Sequence, residues 1–167
     1  MKTVPFKVIL LVLVLAGMSS RAAGEKTRRQ ERETGPFSSI SVSSGIDLFL
    51  TQGSVCNVTV EAEPELVDKI RTEVRDGQLK IYIRDRQNWN IRWNQVRRVH
   101  VVFTELTALH ASAGADVQAR NPLRLGELDV SSSSGADVNL TQLTATRVSV
   151  ETSSGADACI GGKARTA

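Results

Sequence analysis

A short motif repeats through the C-terminal third of the chain and limits its fold more than any other feature. Ser-Ala-Gly-Ala-Asp-Val at 112–117 returns as Ser-Ser-Gly-Ala-Asp-Val at 133–138 and as Ser-Ser-Gly-Ala-Asp-Ala at 153–158. The glycines of these three copies are 21 and then 20 residues apart, and an outlying relative, Ser-Ser-Gly-Ile-Asp-Leu, lies at 43–48. A fixed period near twenty residues is typical of stacked repeat architectures, in which each unit packs on the next.

Apolar and polar residues alternate on both sides of each motif, which is the pattern of a half-buried strand. At an offset of 20, Leu128 aligns with Val148 and Val138 with Ala158. Glycine adopts positive φ without steric cost, and serine and aspartate favour turns. The motif therefore predicts a corner between two strands. The predicted corner glycines are Gly45, Gly114, Gly135 and Gly155.

These patterns predict an all-β chain folded as a parallel β-helix or closely related β-solenoid. About twenty residues at roughly 3.3 Å each can wrap once around a narrow core. One such coil cannot bury its own apolar face, so its stability comes from its neighbours. In the N-terminal half, Asp76-Gly77 is flanked by alternating apolar residues. This pattern predicts an antiparallel hairpin over about residues 70–83.

The N-terminal region has the features of an export signal. Residues 1–22 combine two lysines, an apolar run and small residues before a cleavage position after Ala22, which predicts a signal peptide. Its apolar run is too short to span a bilayer. Residues 23–35 contain almost no apolar side chain and are interpreted as a flexible leader. A single domain is predicted over residues 36–167, either a fragment or a solenoid whose last coil is uncapped.

Removal of the predicted signal changes the charge balance. The chain has 21 Lys and Arg against 18 Asp and Glu, but Lys2, Lys7 and Arg21 belong to the signal. The exported chain therefore has a net charge near zero, which gives no indication of nucleic acid as a partner. No transmembrane segment is expected once the signal is removed.

Four aspartates occupy one position of the repeat. In stacked coils, Asp47, Asp116, Asp137 and Asp157 would form a ladder with a spacing of about 4.8 Å. Carboxylates at that spacing raise one another's pKa or recruit a cation. One interpretation is a Ca²⁺ or ligand site, with Asp116, Asp137 and Asp157 as candidate ligands. The alternative, favoured here, is that each carboxylate accepts hydrogen bonds within its own corner.

Residues 84–98 contain both tryptophans and several arginines. Exposed aromatic and arginine side chains often dominate binding surfaces. The alternative is that the tryptophans cover an open edge of the fold. The candidate contact residues are Trp89, Trp93, Arg92, Arg97 and Arg98.

The chain resembles the bacterial family described as putative auto-transporter adhesin, head GIN domain, common in Bacteroidetes. The resemblance rests on Gly45-Ile46-Asp47, Val58 to Ala62, Leu66 to Tyr82, Leu106 to Leu109 and the Ser-Gly-Ala-Asp repeats. It covers about residues 35–167 and implies an exported β-helical protein with an adhesin-like role. The family's Gly-Ile-Asn reads Gly-Ile-Asp here, and family members usually continue through further repeats.

The function predicted is an exported binding or surface-interaction module without catalytic activity. It would be periplasmic, outer-membrane associated or extracellular, with a cell-envelope protein or glycan as partner. No nucleophile elbow, phosphate loop, zinc signature or nucleotide fingerprint occurs, so no catalytic residue and no cofactor are predicted. Two alternatives remain open: a carbohydrate-acting lyase or hydrolase, and a structural envelope protein that self-associates through its C-terminal edge.

Overall fold

The computed structural model describes residues 27–84 and 95–164. The predicted signal peptide and the candidate residues Trp89, Arg92 and Trp93 lie outside this part of the chain. The described elements are β1 (Arg28–Arg32), β2 (Ser39–Val42), β3 (Asp47–Gln52), β4 (Asn57–Ala62), α1 (Pro64–Val67), β5 (Ile70–Arg75), β6 (Gln78–Ile83), β7 (Arg97–Phe103), β8 (Ala108–Ala111), β9 (Asp116–Ala119), β10 (Leu123–Ser132), β11 (Asp137–Thr152) and β12 (Asp157–Ala164).

The strands form a single mixed sheet in the order β1-β4-β7-β3-β9-β11-β10-β8-β2-β6-β5, with β12 paired to β11. β1 with β4, β4 with β7 and β5 with β6 are antiparallel, whereas the repeats pair in parallel. The sheet is rolled into a nearly closed, barrel-like form. Within the described chain, nothing helical has the length and hydropathy needed to cross a bilayer.

The prediction of a parallel β-helix or β-solenoid is therefore wrong, although the all-β class is right. Antiparallel strands from the N-terminal half join the same sheet as the repeats, so the domain is not a stack of equivalent coils. The prediction failed because the alternation of apolar and polar residues indicates only which face of a strand is buried. It does not indicate whether the neighbouring strand runs parallel or antiparallel.

Two local predictions are confirmed. Leu128 pairs with Val148 and Val138 with Ala158, as the offset of 20 predicted. The hairpin is present as β5 and β6, with Asp76 and Gly77 at its turn.

The repeat motifs form stacked corners. Their glycines have φ between +63° and +71°, and the residue before each glycine also has positive φ. Gly45 N–H donates to Ala113 O at 3.0 Å, and Gly135 N–H donates to Ser154 O at 3.2 Å. The first three corners thus each satisfy a carbonyl of the next corner, which holds the repeats in register.

The leader prediction differs from the structure over part of its range. Arg28–Arg32 forms β1 and pairs with β4 from Arg28 with Ala62 to Arg32 with Val58. The ordered sheet thus begins before residue 36.

The interior is one aliphatic cluster, to which strands from both halves of the chain contribute. Leu48 and Leu50 of β3, Val99 and Val101 of β7, and Leu109 of β8 have 1% exposure or less. Alternate residues of the same strands face outward and are mostly polar. This alternation places a row of polar side chains from neighbouring strands on one outer surface.

Candidate functional site

The outer surface of β1, β4, β7, β3, β9, β11 and β12, called here the outer face, carries an in-register row of charged residues. Each member of this charged row lies opposite the next across a pair of neighbouring strands. The row consists of Arg29, Glu61, Arg98, Asp47, Asp116, Asp137 and Asp157, in this order across the sheet.

Glu61 is the buried anchor of the charged row. Its side chain is 8% exposed, and its carboxylate accepts from Arg29 at 2.7 Å and from Arg98 at 3.2 Å. His100 Nε2 lies 3.2 Å from Oε2 of the same carboxylate. Burial by itself would raise the pKa of Glu61, but the hydrogen bonds from Arg29, His100 and Arg98 outweigh burial and lower this pKa. Glu61 thus fixes one negative charge beneath three basic side chains.

An aromatic side chain lies beside this anchor. Phe49 points away from the core, and its ring stacks on His100 with centroids 5.1 Å apart. The Arg120 guanidinium lies 3.8 Å from the centre of the same ring. Phe49, His100 and Arg120 therefore form a cation–aromatic cluster at the centre of the outer face, with the Phe49 ring between the other two side chains.

The four repeat aspartates continue the row, as the sequence predicted. Asp47 pairs with Asp116, Asp116 with Asp137, and Asp137 with Asp157. Burial, with further contributions from Asp47 and Asp137, raises the pKa of Asp116. No described residue donates a hydrogen bond to these four carboxylates or forms an ion pair with them. The favoured interpretation, in which each aspartate accepts hydrogen bonds within its corner, is therefore wrong.

The metal interpretation of the ladder has no geometric support. Across the described ranges, no group of three or more His, Cys, Asp or Glu side chains is arranged to hold a metal ion. The four carboxylates form a line rather than converging on one point, since each belongs to a different strand.

The remaining described candidates do not share a surface. Arg98 lies on the outer face and binds Glu61. Arg97, its neighbour in β7, lies against the corner at Gly45, where an added Cβ would be 3.6 Å from the Arg97 guanidinium. Successive residues of a strand point to opposite sides of the sheet, which separates the two arginines.

The sequence matches the family model described as putative auto-transporter adhesin, head GIN domain, over residues 36–167. The chain belongs to this family. No protein of curated function matches it at a significant level.

Solved structures share the fold of this head GIN domain. A putative adhesin from Bacteroides fragilis superposes with a TM-score of 0.72 at 18% identity, covering 81% of this chain and 62% of its own. A putative adhesin from Parabacteroides merdae gives 0.67 at 19%, covering 80% and 55%. A putative lipid binding protein from Parabacteroides distasonis gives 0.56 at 16%, covering 77% and 61%. The chain thus spans about three fifths of the length of these proteins.

Sequence reasoning missed most of the anchor of this head GIN domain. Arg29 lies before the matched family region and within the predicted leader, yet its side chain binds Glu61, 32 residues away. Glu61, His100, Phe49 and Arg120 were not recognised. A usable signal was present, because Phe49 occupies an outward position between the apolar residues Leu48 and Leu50.

Proposed function

We propose that this protein is an exported, adhesin-like binding module without catalytic activity, and that the outer face is its contact surface. It would act in the periplasm, at the outer membrane or outside the cell, and bind a protein or glycan of the cell envelope. The family match supports the adhesin-like role. The observation that carries the assignment of the surface is the row of unpaired carboxylates beside the Phe49 cluster.

The chemistry of the outer face favours a partner that donates hydrogen bonds or carries positive charge. Asp116 and Asp137 are exposed, and no described side chain neutralises them. An unpaired carboxylate on a rigid sheet loses little conformational entropy when it binds, which favours affinity. Gln118 and Asn139, in register on the next row of the same face, supply neutral hydrogen-bonding groups.

The proposal is tested by charge reversal on the outer face. The labelled chain and its Asp137→Arg variant are titrated against isolated cell-envelope fractions, separated into proteins and glycans. We expect binding to fall at least about threefold, because reversal replaces one attraction with a repulsion near a polar surface. Asp129→Arg is the matched control, since Asp129 is an exposed aspartate of β10 that is not part of the charged row. Equal binding by all three proteins would remove the outer face from the proposal.

The absence of catalysis is tested separately. A panel of acidic and neutral glycans is incubated with the chain, and products are followed by mass spectrometry. No product is expected from a binding module without catalytic activity. Released oligosaccharides would show that the module is an enzyme.

Self-association is a second candidate, supported by the C-terminal strand. Among the described strands, β12 pairs only with β11, and Val150, near the end of β11, is 44% exposed. Leu143, Val148 and Ile160 line a groove of about 150 Å³ at the same place. An exposed strand edge next to apolar side chains favours pairing between chains. Sedimentation velocity over a range of concentrations should then show a dimer, and a strict monomer would exclude this candidate.

A further inference from the structure

Within the described residues, the rolled sheet does not close, and the two strands at its opening are β1 and β5. These strands stand at the two ends of the strand order. Residues 30–33 and 70–73 line a groove of about 360 Å³ along the opening, called here the seam. Cavities of this volume fall in the range of ligand-binding pockets. The seam is distinct from the outer face, so this inference goes beyond the proposed function.

Three buried polar atoms without hydrogen-bond partners lie at the seam. They are Gln30 Oε1, Arg32 Nε and Arg71 Nε. A buried donor or acceptor without a partner costs about 1–3 kcal/mol in general, so three of them in one groove require an explanation. Gln30 and Arg32 face the core side of β1, because their cross-strand partners, Val60 and Val58, are buried.

No neighbouring group in the described part of the chain accepts a hydrogen bond from the Nε atoms of Arg32 and Arg71. Another nitrogen of Arg32 donates to Val67 O at 2.6 Å, which leaves its Nε unused. Burial lowers the pKa of Arg32, Asp68 opposes this effect, and Arg71 adds to it. Glu73, which also lines the seam, is already bound by Arg75 at 2.8 Å and by Tyr82 at 3.2 Å.

The set of unused groups indicates the chemistry of the missing partner. Two of the atoms are donors and one is an acceptor, so a simple anion could satisfy only the two donors. An extended polypeptide offers carbonyl oxygens and N–H groups in alternation. It could also pair with the free edges of β1 and β5, as in the addition of a strand to a sheet. We propose that the seam binds an extended segment of a partner protein, which inserts between β1 and β5.

A rigid strand from a second copy does not fit this role. A segment that pairs with both β1 and β5 must have two free edges. Every described strand of this chain already pairs with at least one neighbour. The proposed occupant is therefore a segment that is unpaired in its own protein, rather than one of the described strands of a second copy.

The test uses random dodecapeptides displayed on phage, selected against the full chain and then synthesised with a fluorescent label. Their affinity should fall about tenfold in Arg71→Gln, as expected for the loss of a hydrogen bond from a charged donor. Arg124→Gln is the control, because Arg124 is an exposed arginine of β10 that does not line the seam. Peptides N-methylated at alternate residues should lose binding, because methylation removes the donors of an added strand.

NMR on the unaltered chain provides a readout that does not depend on the folding of a variant. A bound peptide should shift the side-chain amide of Gln30 and the Nε–H signals of Arg32 and Arg71. Peptides that bind equally well to Arg71→Gln, or whose signals shift only on the outer face, would overturn the proposal. So would a library that yields no binder, or concentration-dependent dimers that involve these three residues.

Discussion

Replacing Gly162 with alanine is expected to lower the free energy of unfolding by about 1–3 kcal/mol, the range for overpacking a closely fitted site. A Cβ added at Gly162 would overlap the Leu143 carbonyl oxygen and would lie 2.7 Å from the carbonyl carbon. Both are backbone atoms, so no side-chain rotation relieves the contact. β12 must instead move away from β11, which weakens the pairing from Leu143–Gly162 to Ala145–Ala164.

Urea unfolding followed by circular dichroism gives this free energy, and hydrogen exchange should show reduced protection of the β12 amides. Gly126→Ala is the control, because no atom lies within 4 Å of the position that its Cβ would take. Its stability should stay within about 0.5 kcal/mol of the original chain. A Gly162→Ala chain as stable as the Gly126→Ala chain would show that β11 and β12 are not packed this closely.

The repeat fixes much of the C-terminal half of the fold in advance. Because the copies are nearly identical, aligning Leu128 with Val148 also aligns their backbones, and the observed pairing follows that alignment. The corner glycines were recognisable for the same reason, since consecutive positive φ values favour glycine at the second position. The register and the corners could be predicted from one sequence because the copies of the repeat can be compared with one another.

Apart from the hairpin of β5 and β6, the N-terminal half could not be derived in the same way. Val58 and Val60 alternate with polar residues just as Val138 and Leu140 do. Yet β4 pairs antiparallel with both β1 and β7, whereas β11 pairs in parallel. Strand direction depends on which distant segments meet, and alternation carries no information about that choice. β1 was missed because its inward residues, Gln30 and Arg32, border the polar seam rather than an apolar core.

The two proposed surfaces follow from this mixed architecture. The outer face exists because parallel repeats place equivalent aspartates side by side. The seam exists because the N-terminal strands bring two edges of the sheet near one another without joining them. A uniform solenoid would have supplied the first surface but not the second. If both proposals hold, one partner binds the outer face and another binds the seam, and variants at Asp137 and Arg71 would separate these activities.

The Glu61 carboxylate both stabilises the sheet and holds the basic side chains of the outer face in place. Glu61→Gln should lower the free energy of unfolding by about 1.5–2 kcal/mol at neutral pH, because hydrogen bonds to a charged group are worth about this much. The variant keeps the size of the side chain but leaves Arg29, Arg98 and His100 without their shared negative charge. Glu127→Gln is the control, since the Glu127–Arg147 pair is well exposed and should contribute less than about 1 kcal/mol.

The sign of the pH dependence follows from the lowered pKa of Glu61. Folding favours its ionised form, so its contribution to stability is complete above the usual value of 4.5 and disappears as pH falls through the lower folded-state pKa. The stability difference between the original chain and Glu61→Gln should therefore be constant near neutrality and shrink as the pH falls below 4.5 in urea titrations. A difference that stays unchanged in acid would mean that Glu61 acts by packing rather than by charge. The outer face would then have no electrostatic anchor, and the orientation of His100 and Arg98 would require another cause.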